Sequence, residues 1–166
     1  MINKNQLTER SFTPSQLSGF DGVHSIQLPV DFIHDLSKAD SLQAVLDTIA
    51  YWISHVFDAD RASITLQDTE EYLKLYSISG NHAIPMDFKI PIGQTFVGRV
   101  FAQSQLIICD DLAQSDELDC QMLSEHGMGT CMDAPMIHNG VCISTLNVAD
   151  QRKHHYTLQQ AILLQS

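Results

Sequence analysis

The stretch 127–150 carries the side chains best suited to bind a ligand. Two alternating apolar and polar runs flank Asn139-Gly140, and this dipeptide between apolar runs is a strong β-hairpin signal. The polar side chains of interest in these runs are Cys131, Asp133, Thr145 and Asn147. Thiol, carboxyl, hydroxyl and amide groups at this spacing could together fix a small polar molecule.

The register of the predicted hairpin decides which of these residues share a face. A two-residue turn at 139–140 would mix polar and apolar side chains on each face. A three-residue loop at 138–140, with Gly140 left-handed, pairs 131 with 147, 133 with 145 and 135 with 143, and it separates the two kinds. Because a one-residue slip moves every side chain to the opposite face, we predict the three-residue loop. The predicted apolar face consists of Met132, Ala134, Met136, Leu146 and Val148.

The polar face has two interpretations at this point. It is either the floor of a ligand pocket or the solvated side of an antiparallel sheet. Asp110 and Asp111 are further candidates for ligand binding, since they follow a predicted strand and enter a loop, where binding residues concentrate. Asp also favours such turns for backbone reasons alone.

The four cysteines recur every eleven residues, at positions 109, 120, 131 and 142. Zinc sites place their ligands in close pairs, so this spacing does not predict a metal centre. Reduced, buried thiols are the expected state in a cytosolic protein. His154-His155 form a poor chelate, because adjacent side chains point in different directions, and we predict an exposed linker there.

Hydrophobic periodicity predicts the elements that position these residues. Residues 1–28 lack periodicity and are predicted to form a loose arm, with a short helix near 14–17. Residues 29–166 form the predicted domain. Its elements are a helix at 41–57, strands at 61–67, 72–79, 87–90 and 106–109, short helices within 91–103 and 115–127, the hairpin, and a helix at 156–164. This last helix stops without a cap, so we expect the natural chain to continue beyond Ser166.

Composition excludes several functional classes. A formal net charge of −11 disfavours nucleic acid and anionic membrane surfaces as partners, because both need clustered Lys and Arg. No apolar run is long enough to span a bilayer, and no signal-peptide pattern opens the chain. We therefore expect a cytoplasmic globular domain.

The order of elements and several local patterns resemble the GAF domain family over about residues 36–166. The matching stretches are Ile90-Pro91-Ile92-Gly93-Gln94, Gly98-Arg99-Val100, Ile108-Cys109-Asp110-Asp111, Gly127–Met136 and Asn139–Val148. The resemblance implies an α+β fold, with an antiparallel sheet of five to six strands. It places the N- and C-terminal helices on one face and a small-molecule pocket on the other, roofed by the segments between Ile90 and Gly127.

The resemblance also implies a function. Family members act as sensors and pass the signal through the C-terminal helix to a cyclase, kinase, phosphodiesterase or ATPase, commonly as homodimers joined through the terminal helices. The chain lacks the Asn-Lys-Phe motif of cyclic-nucleotide-binding members and the Cys-His pair that anchors a bilin. The cofactor therefore stays unknown, and we predict a non-enzymatic sensor.

Two alternatives remain open. One branch of the family reduces free methionine sulfoxide with active-site cysteines, and Cys120 and Cys131 are the candidates for such a pair. Phe96-Val97 and Asn147 replace a cysteine and an acid of that branch, so its catalytic set looks incomplete. The other alternative is a dimerisation module without a ligand.

Overall fold

A computed structural model describes residues 8–19 and 29–166. Within these residues the fold is α+β, and every pairing in its seven-stranded sheet is antiparallel. The strands are β1 (Glu9–Phe12), β2 (Arg61–Gln67), β3 (Tyr72–Gly80), β4 (Ile90–Pro91), β5 (Leu106–Cys109), β6 (Thr130–His138) and β7 (Val141–Asp150). The helices are α1 (Pro14–Ser18), α2 (Val30–Lys38), α3 (Leu42–Val56), α4 (Phe96–Gln103), α5 (Leu118–Glu125) and α6 (Leu158–Gln165).

The strand order is β1-β5-β6-β7-β2-β3-β4, so the β6–β7 hairpin occupies the centre of the sheet. The predicted fold class is confirmed, and the strand count is one higher than expected. The additional strand is β1, which pairs along β5 from Glu9 with Cys109 to Phe12 with Leu106.

The strand β1 differs from the predicted loose N-terminal arm. Within that arm, the structure describes 8–19 as the edge strand followed by α1, whose capping box joins Thr13 and Gln16. Leu17 of α1 is 2% exposed and packs against the core. Sequence reasoning missed the strand because 9–12 is polar apart from Phe12 and shows no apolar alternation. The rest of the predicted arm, 1–7 and 20–28, lies outside the described residues.

The sheet separates two apolar layers. On the back, α1, α3 and α6 pack on Ala62, Met132, Ala134 and Val148. On the front, α4, α5 and the connecting loops pack on Leu73, Leu75, Ile107, Cys109, Cys131 and Ala149. The N- and C-terminal helices therefore share one face, as predicted. Among the described residues, no helix combines the length and apolarity that crossing a membrane requires.

The hairpin register differs from the predicted one. Asn139 and Gly140 both have positive φ values, 51° and 78°, and form a two-residue turn, so that His138 pairs with Val141. A shift between Met136 and Ile137 then inserts one extra residue into β7. As a result, Cys131 pairs with Ala149, Asp133 with Asn147 and Pro135 with Thr145, two positions away from the predicted partners.

The register shift in β7 explains why the side chains lie on the predicted faces although the predicted register is wrong. A β-bulge adds one residue to one strand and so restores the alternation that a two-residue turn would have reversed. Cys131, Asp133, Thr145 and Asn147 share the front face, and Met132, Ala134 and Val148 share the back. The favoured turn and the segregated faces coexist, a combination that an unbulged hairpin cannot provide.

Candidate functional site

A cavity of about 30 Å³ lies between the front of the sheet and the segments that carry α4 and α5. This volume accommodates about two or three water-sized groups. Its polar lining comes from β2, α5, β6 and β7, and consists of Arg61, Ser63, Thr65, Asp119, Cys131, Asp133 and Asn147. The apolar walls include Leu75, Ile90 and Val97.

Arg61 opens β2 and is 3% exposed. Its Nη1 donates to the carbonyl of Asn81 over 2.6 Å, and its Nη2 donates to the carbonyl of Ile84 over 3.2 Å. None of the ion pairs in the described chain involves Arg61. Burial lowers the pKa of Arg61 to about 10, although nearby Asp133 raises it, so the guanidinium stays charged at neutral pH.

Asp133 points into the same cavity from β6 and is 5% exposed. Its carboxyl group has no hydrogen-bond partner among the residues that the structure describes. Burial, and then the nearby Asp119 carboxylate, raise the pKa of Asp133 well above its ordinary value, although Arg61 lowers it. The side chain is therefore a buried acid whose hydrogen-bonding capacity is unused.

Asn147 lies opposite Asp133 on β7. Its Nδ2 donates to the hydroxyl oxygen of Ser63 over 3.2 Å, while its buried Oδ1 has no hydrogen-bond partner. Buried polar atoms are satisfied in the large majority of cases, so an orphaned acceptor needs an explanation. Asn147 and Asp133 thus present neighbouring free acceptors at one end of the cavity lining.

Asp119 lines the cavity but is committed to the fold. Its carboxylate accepts hydrogen bonds from the backbone N–H groups of Phe96 and Val97, over 2.8 and 3.0 Å. It therefore caps the N-terminus of α4 from another helix and holds α4 against α5. Burial raises the pKa of Asp119 to about 6, while these backbone donors act in the opposite direction.

Helix α4 approaches the preceding chain closely at Gly98. A Cβ atom at this position would lie 2.1 Å from the carbonyl oxygen of Ile92, a distance that no side chain tolerates. Gly98 therefore permits the tight packing that brings Val97 to the cavity.

A second polar cluster lies beside the cavity and is fully paired. Arg99 of α4 donates to both carboxylate oxygens of Glu9 on β1, over 2.6 and 2.8 Å, and also to the carboxylate of Glu117. Burial by itself lowers the pKa of Arg99, but these hydrogen bonds outweigh burial and raise the pKa above its ordinary value. The cluster ties the edge strand to the two segments that roof the cavity.

Asp110 and Asp111 do not line the cavity. Asp110 pairs with Arg10 of β1, whose Nε donates to it over 3.0 Å, and Arg10 also donates to the carbonyl of Tyr156. Asp111 caps a 3-10 turn by accepting from the backbone N–H of Ala113, and it lies 3.3 Å from Lys153. The structure thus gives both acids partners within the protein.

The other predicted site residues divide between the lining and the layer beneath it. Cys131, Asp133 and Asn147 line the cavity. Thr145 shares their face but is 0% exposed, and its hydroxyl is hydrogen-bonded to that of Thr65. It therefore supports the cavity floor.

Sequence reasoning missed Arg61 and Asp119. Arg61, Ser63 and Thr65 alternate with Ala62, Ile64 and Leu66 along β2, so the period-2 pattern did contain the signal for a polar face. Asp119 gave no comparable signal, because an acid in the first turn of a helix ordinarily stabilises its own helix.

Three of the four thiols gather next to the cavity. Cys109 and Cys131 pair across β5 and β6, and Cys120 of α5 lies beside both. All four cysteines are buried and free. Burial raises the pKa of the Cys131 thiol, and the neighbouring Cys120 together with burial raises the pKa of Cys109. Within the described ranges, no group of three or more His, Cys, Asp or Glu side chains has the arrangement to hold a metal ion.

Comparison with known proteins identifies the family of this architecture. The family model described as GAF domain matches residues 41–166. No curated protein sequence matches the chain.

Several solved structures share the fold. The GAF domain of a phosphoenolpyruvate-protein phosphotransferase from Coxiella burnetii is 17% identical, with a TM-score of 0.69 over 81% of this chain and 82% of that one. Free methionine-R-sulfoxide reductase from Neisseria meningitidis, solved with its substrate, is 19% identical, with a TM-score of 0.68 over 81% and 77% of the two chains. The type II enzyme from Thermoplasma acidophilum is 12% identical, with a TM-score of 0.65 over 74% and 84%. At these identities the likeness shows the fold alone.

Proposed function

The chain belongs to the GAF domain family, a family of sensory and regulatory domains, and we propose that it is a sensor that binds a small molecule in the cavity over β2, β6 and β7. One observation carries the proposal. Arg61 and Asp133 are both almost fully buried in one cavity, yet Arg61 has no ion pair and Asp133 has no hydrogen bond within the described chain. Burying such groups costs several kcal/mol unless a partner compensates them. A bound molecule would provide that partner.

The same strands connect the cavity to the helices on the other face. Asp133 faces the cavity, while its neighbours Met132 and Ala134 face the layer in which α6 packs. Gln165 of α6 also donates to the carbonyl of Pro135 on the same strand, over 3.0 Å. A ligand that shifts β6 would therefore act on α6, provided that it binds two arrangements of the helix with different affinity. We propose that α6 transmits the signal to an output domain of the cyclase, kinase, phosphodiesterase or ATPase type, covalently attached after the sensor.

We also propose that the sensor works as a homodimer through its terminal helices. Helix α2 has no buried residue, and Val30 and Ile33 are 81% and 56% exposed. Leu42 and Tyr51 of α3 are exposed as well. Apolar side chains at this density on adjacent helices are typical of an association surface. Multi-angle light scattering of the wild type and of a Val30→Glu/Ile33→Glu variant would test this, since a mass of one chain for the wild type contradicts it.

The test of ligand binding uses thermal unfolding of the full chain against a library of small metabolites. A compound that raises Tm is then measured against Asp133→Ala/Asn147→Ala and against Asp116→Ala/Gln121→Ala, a control pair of exposed residues. We expect the stabilisation to disappear in the first variant and to persist in the second. Equal stabilisation of both would place the binding site elsewhere, and a dimer that no compound stabilises would favour a dimerisation module without a ligand.

The thiol cluster favours a second candidate, a reductase of free methionine sulfoxide. Cys131 lines the cavity and Cys120 lies beside it, as a nucleophile and a resolving thiol require. The raised pKa of the Cys131 thiol opposes this function, since the thiolate is the nucleophile. NADPH consumption in a thioredoxin-coupled assay with methionine sulfoxide tests it. Turnover that is lost in Cys120→Ser/Cys131→Ser would establish the enzyme, and no turnover would remove it.

A further inference from the structure

We infer that the cavity takes a small zwitterion, in which a carboxylate binds Arg61 and an ammonium group one or two carbons away binds Asp133 and Asn147. This inference rests on the proposed sensor function and names its ligand class. The supporting observation is that one half-open cavity is lined by the cation of Arg61, the carboxyl group of Asp133 and the Oδ1 of Asn147. Arg61 has no ion pair in the described chain, and the Oδ1 of Asn147 has no hydrogen-bond partner. A ligand with only one charge would satisfy only one of them.

Arg61 is positioned to receive the carboxylate. Its two hydrogen bonds to the carbonyls of Asn81 and Ile84 fix the guanidinium and use one N–H of each terminal nitrogen. Guanidinium carries five N–H donors, so Nε–H and one N–H on each terminal nitrogen are without an acceptor among the described residues. A planar fork of this kind matches the two oxygens of a carboxylate.

Asp133 and Asn147 are positioned to receive the ammonium group. They face each other across β6 and β7. The Oδ1 of Asn147 has no hydrogen-bond partner, and no residue of the described chain donates a hydrogen bond to the carboxyl group of Asp133. An ammonium group has three donors and no acceptor, so it suits a site composed of acceptors. Asp119, the other acid of the lining, is already occupied by the N–H groups of α4.

The cavity limits the size of the ligand. About 30 Å³ holds two or three water-sized groups, so the five heavy atoms of glycine already fill the cavity and extend into its open side. The low polarity of Leu75, Ile90 and Val97 around these groups strengthens the charge interactions. Glycine is therefore the appropriate probe, with acetate and methylammonium as its single-charge counterparts.

Binding of an ammonium group also requires Asp133 to be ionised. Its charged neighbours are Asp119 and Glu117 on the α5 side and Arg61 on β2. Burial, Asp119 and Glu117 raise the pKa of Asp133, whereas Arg61 lowers it. Because a bound ammonium group lowers the pKa of Asp133, glycine binding should release protons at pH values below the raised pKa of the free protein. This proton release is a signature that a purely structural Asp133 would not produce.

The experiment measures binding of glycine, acetate and methylammonium to the full chain by calorimetry, at equal ionic strength and in two buffers of different ionisation enthalpy. We expect glycine to bind at least tenfold more tightly than either counterpart, with a net release of protons that disappears as the pH rises. Asp133→Asn should weaken glycine binding at least tenfold and abolish the proton release, while the exposed control Asp116→Asn changes neither. Circular dichroism confirms that the variants are folded.

The outcomes separate the two proposals. Equal binding of glycine and acetate, or unchanged glycine affinity in Asp133→Asn, would overturn the zwitterion inference. If other compounds stabilise the chain through Asp133 and Asn147 while glycine does not bind, the sensor function stands and the ligand class is wrong. If neither glycine nor any library compound binds, both proposals fail.

Discussion

Two arginines show the contrast between the candidate site and its support. Arg99 is partly exposed and shares two carboxylates, Glu9 and Glu117, through hydrogen bonds on both sides of its guanidinium. Arg61 is more deeply buried, yet it has only two backbone carbonyls and no carboxylate partner within the described chain. The arginine with the higher desolvation cost therefore has the weaker compensation.

This difference separates stability from recognition. The Arg99 cluster joins β1, α4 and the start of α5, and its charges are mutually neutralised, so it contributes to the fold and has no capacity left for a ligand. Arg61, Asp133 and Asn147 keep unused donors and acceptors in a half-open cavity. Such groups are retained at functional sites at the expense of stability. Stability measurements can therefore test the assignment of each region without knowledge of the ligand.

The largest expected effect on the free energy of unfolding comes from replacing Arg99. Arg99→Met would leave Glu9 and Glu117 without their cation, although their side chains are only 8% and 17% exposed. Removing one partner of a buried ion pair typically costs 3–5 kcal/mol, and partial exposure of the arginine reduces this to about 3 kcal/mol. The free energy of unfolding from urea titration measures the change.

Arg61→Met is the matched control for Arg99→Met. It loses two hydrogen bonds to backbone carbonyls, but it also relieves the desolvation of an unpaired cation, so we expect a change of less than about 1 kcal/mol. A loss from Arg61→Met as large as that from Arg99→Met would contradict the comparison, because Arg61 would then be a structural residue.

The second effect has the opposite sign. Asp133→Asn should stabilise the domain by about 1–2 kcal/mol at pH 7, since it removes the cost of a buried acid without a partner. The folded-state pKa of Asp133 lies above the unfolded value of about 4, so the folded state holds the proton more tightly. The stabilisation that protonated Asp133 contributes to the wild type is therefore fully present below about pH 4, and it is lost as the pH rises towards the folded-state pKa.

The measurement for Asp133→Asn is urea unfolding between pH 4 and pH 8. The advantage of the variant should be absent near pH 4 and grow with pH. Asp119, whose pKa burial raises to about 6, contributes to the pH dependence of both proteins. Because its charge also acts on Asp133, the difference between the two proteins contains this coupling as well. A variant that is less stable than the wild type at pH 7 would show that Asp133 has a stabilising partner, and the site assignment would fail.

Local patterns predicted most of the fold. Apolar periodicity predicted the helices and strands between residues 41 and 164, except that the strand expected at 87–90 is only the two-residue β4, Ile90–Pro91. The segregation of side chains predicted the two faces of the central hairpin. The turn and the register were wrong, because a bulge in β7 compensates for the two-residue turn and a bulge has no local signal. The strand β1 was missed because its hydrogen bonds go to β5, about a hundred residues away.

The candidate site was predictable only in part, for the same physical reason. Cys131, Asp133 and Asn147 lie on one hairpin, where alternation alone assigns the face. Arg61 and Asp119 reach the cavity through tertiary packing of β2 and α5, which sequence spacing does not describe. Asp110 and Asp111 had the expected loop position, but their partners Arg10 and Lys153 come from distant segments.

The smallest effects are expected for Asp110 and Asp111. Their variants test whether these acids fix β1 in place or bind a ligand. Asp110→Asn removes the charge that holds Arg10, whose side chain is 38% exposed, so the expected loss is about 1 kcal/mol. Asp111→Asn keeps an acceptor for the N–H of Ala113 and loses only an exposed contact with Lys153, so the expected loss is below about 0.5 kcal/mol. Urea unfolding measures both values.

Ligand-induced stabilisation should be the same in both variants as in the wild type, because neither side chain reaches the cavity. If Asp110→Asn unfolds normally but loses that stabilisation, the acids after β5 belong to the binding site, and the cavity over Asp133 is only part of it.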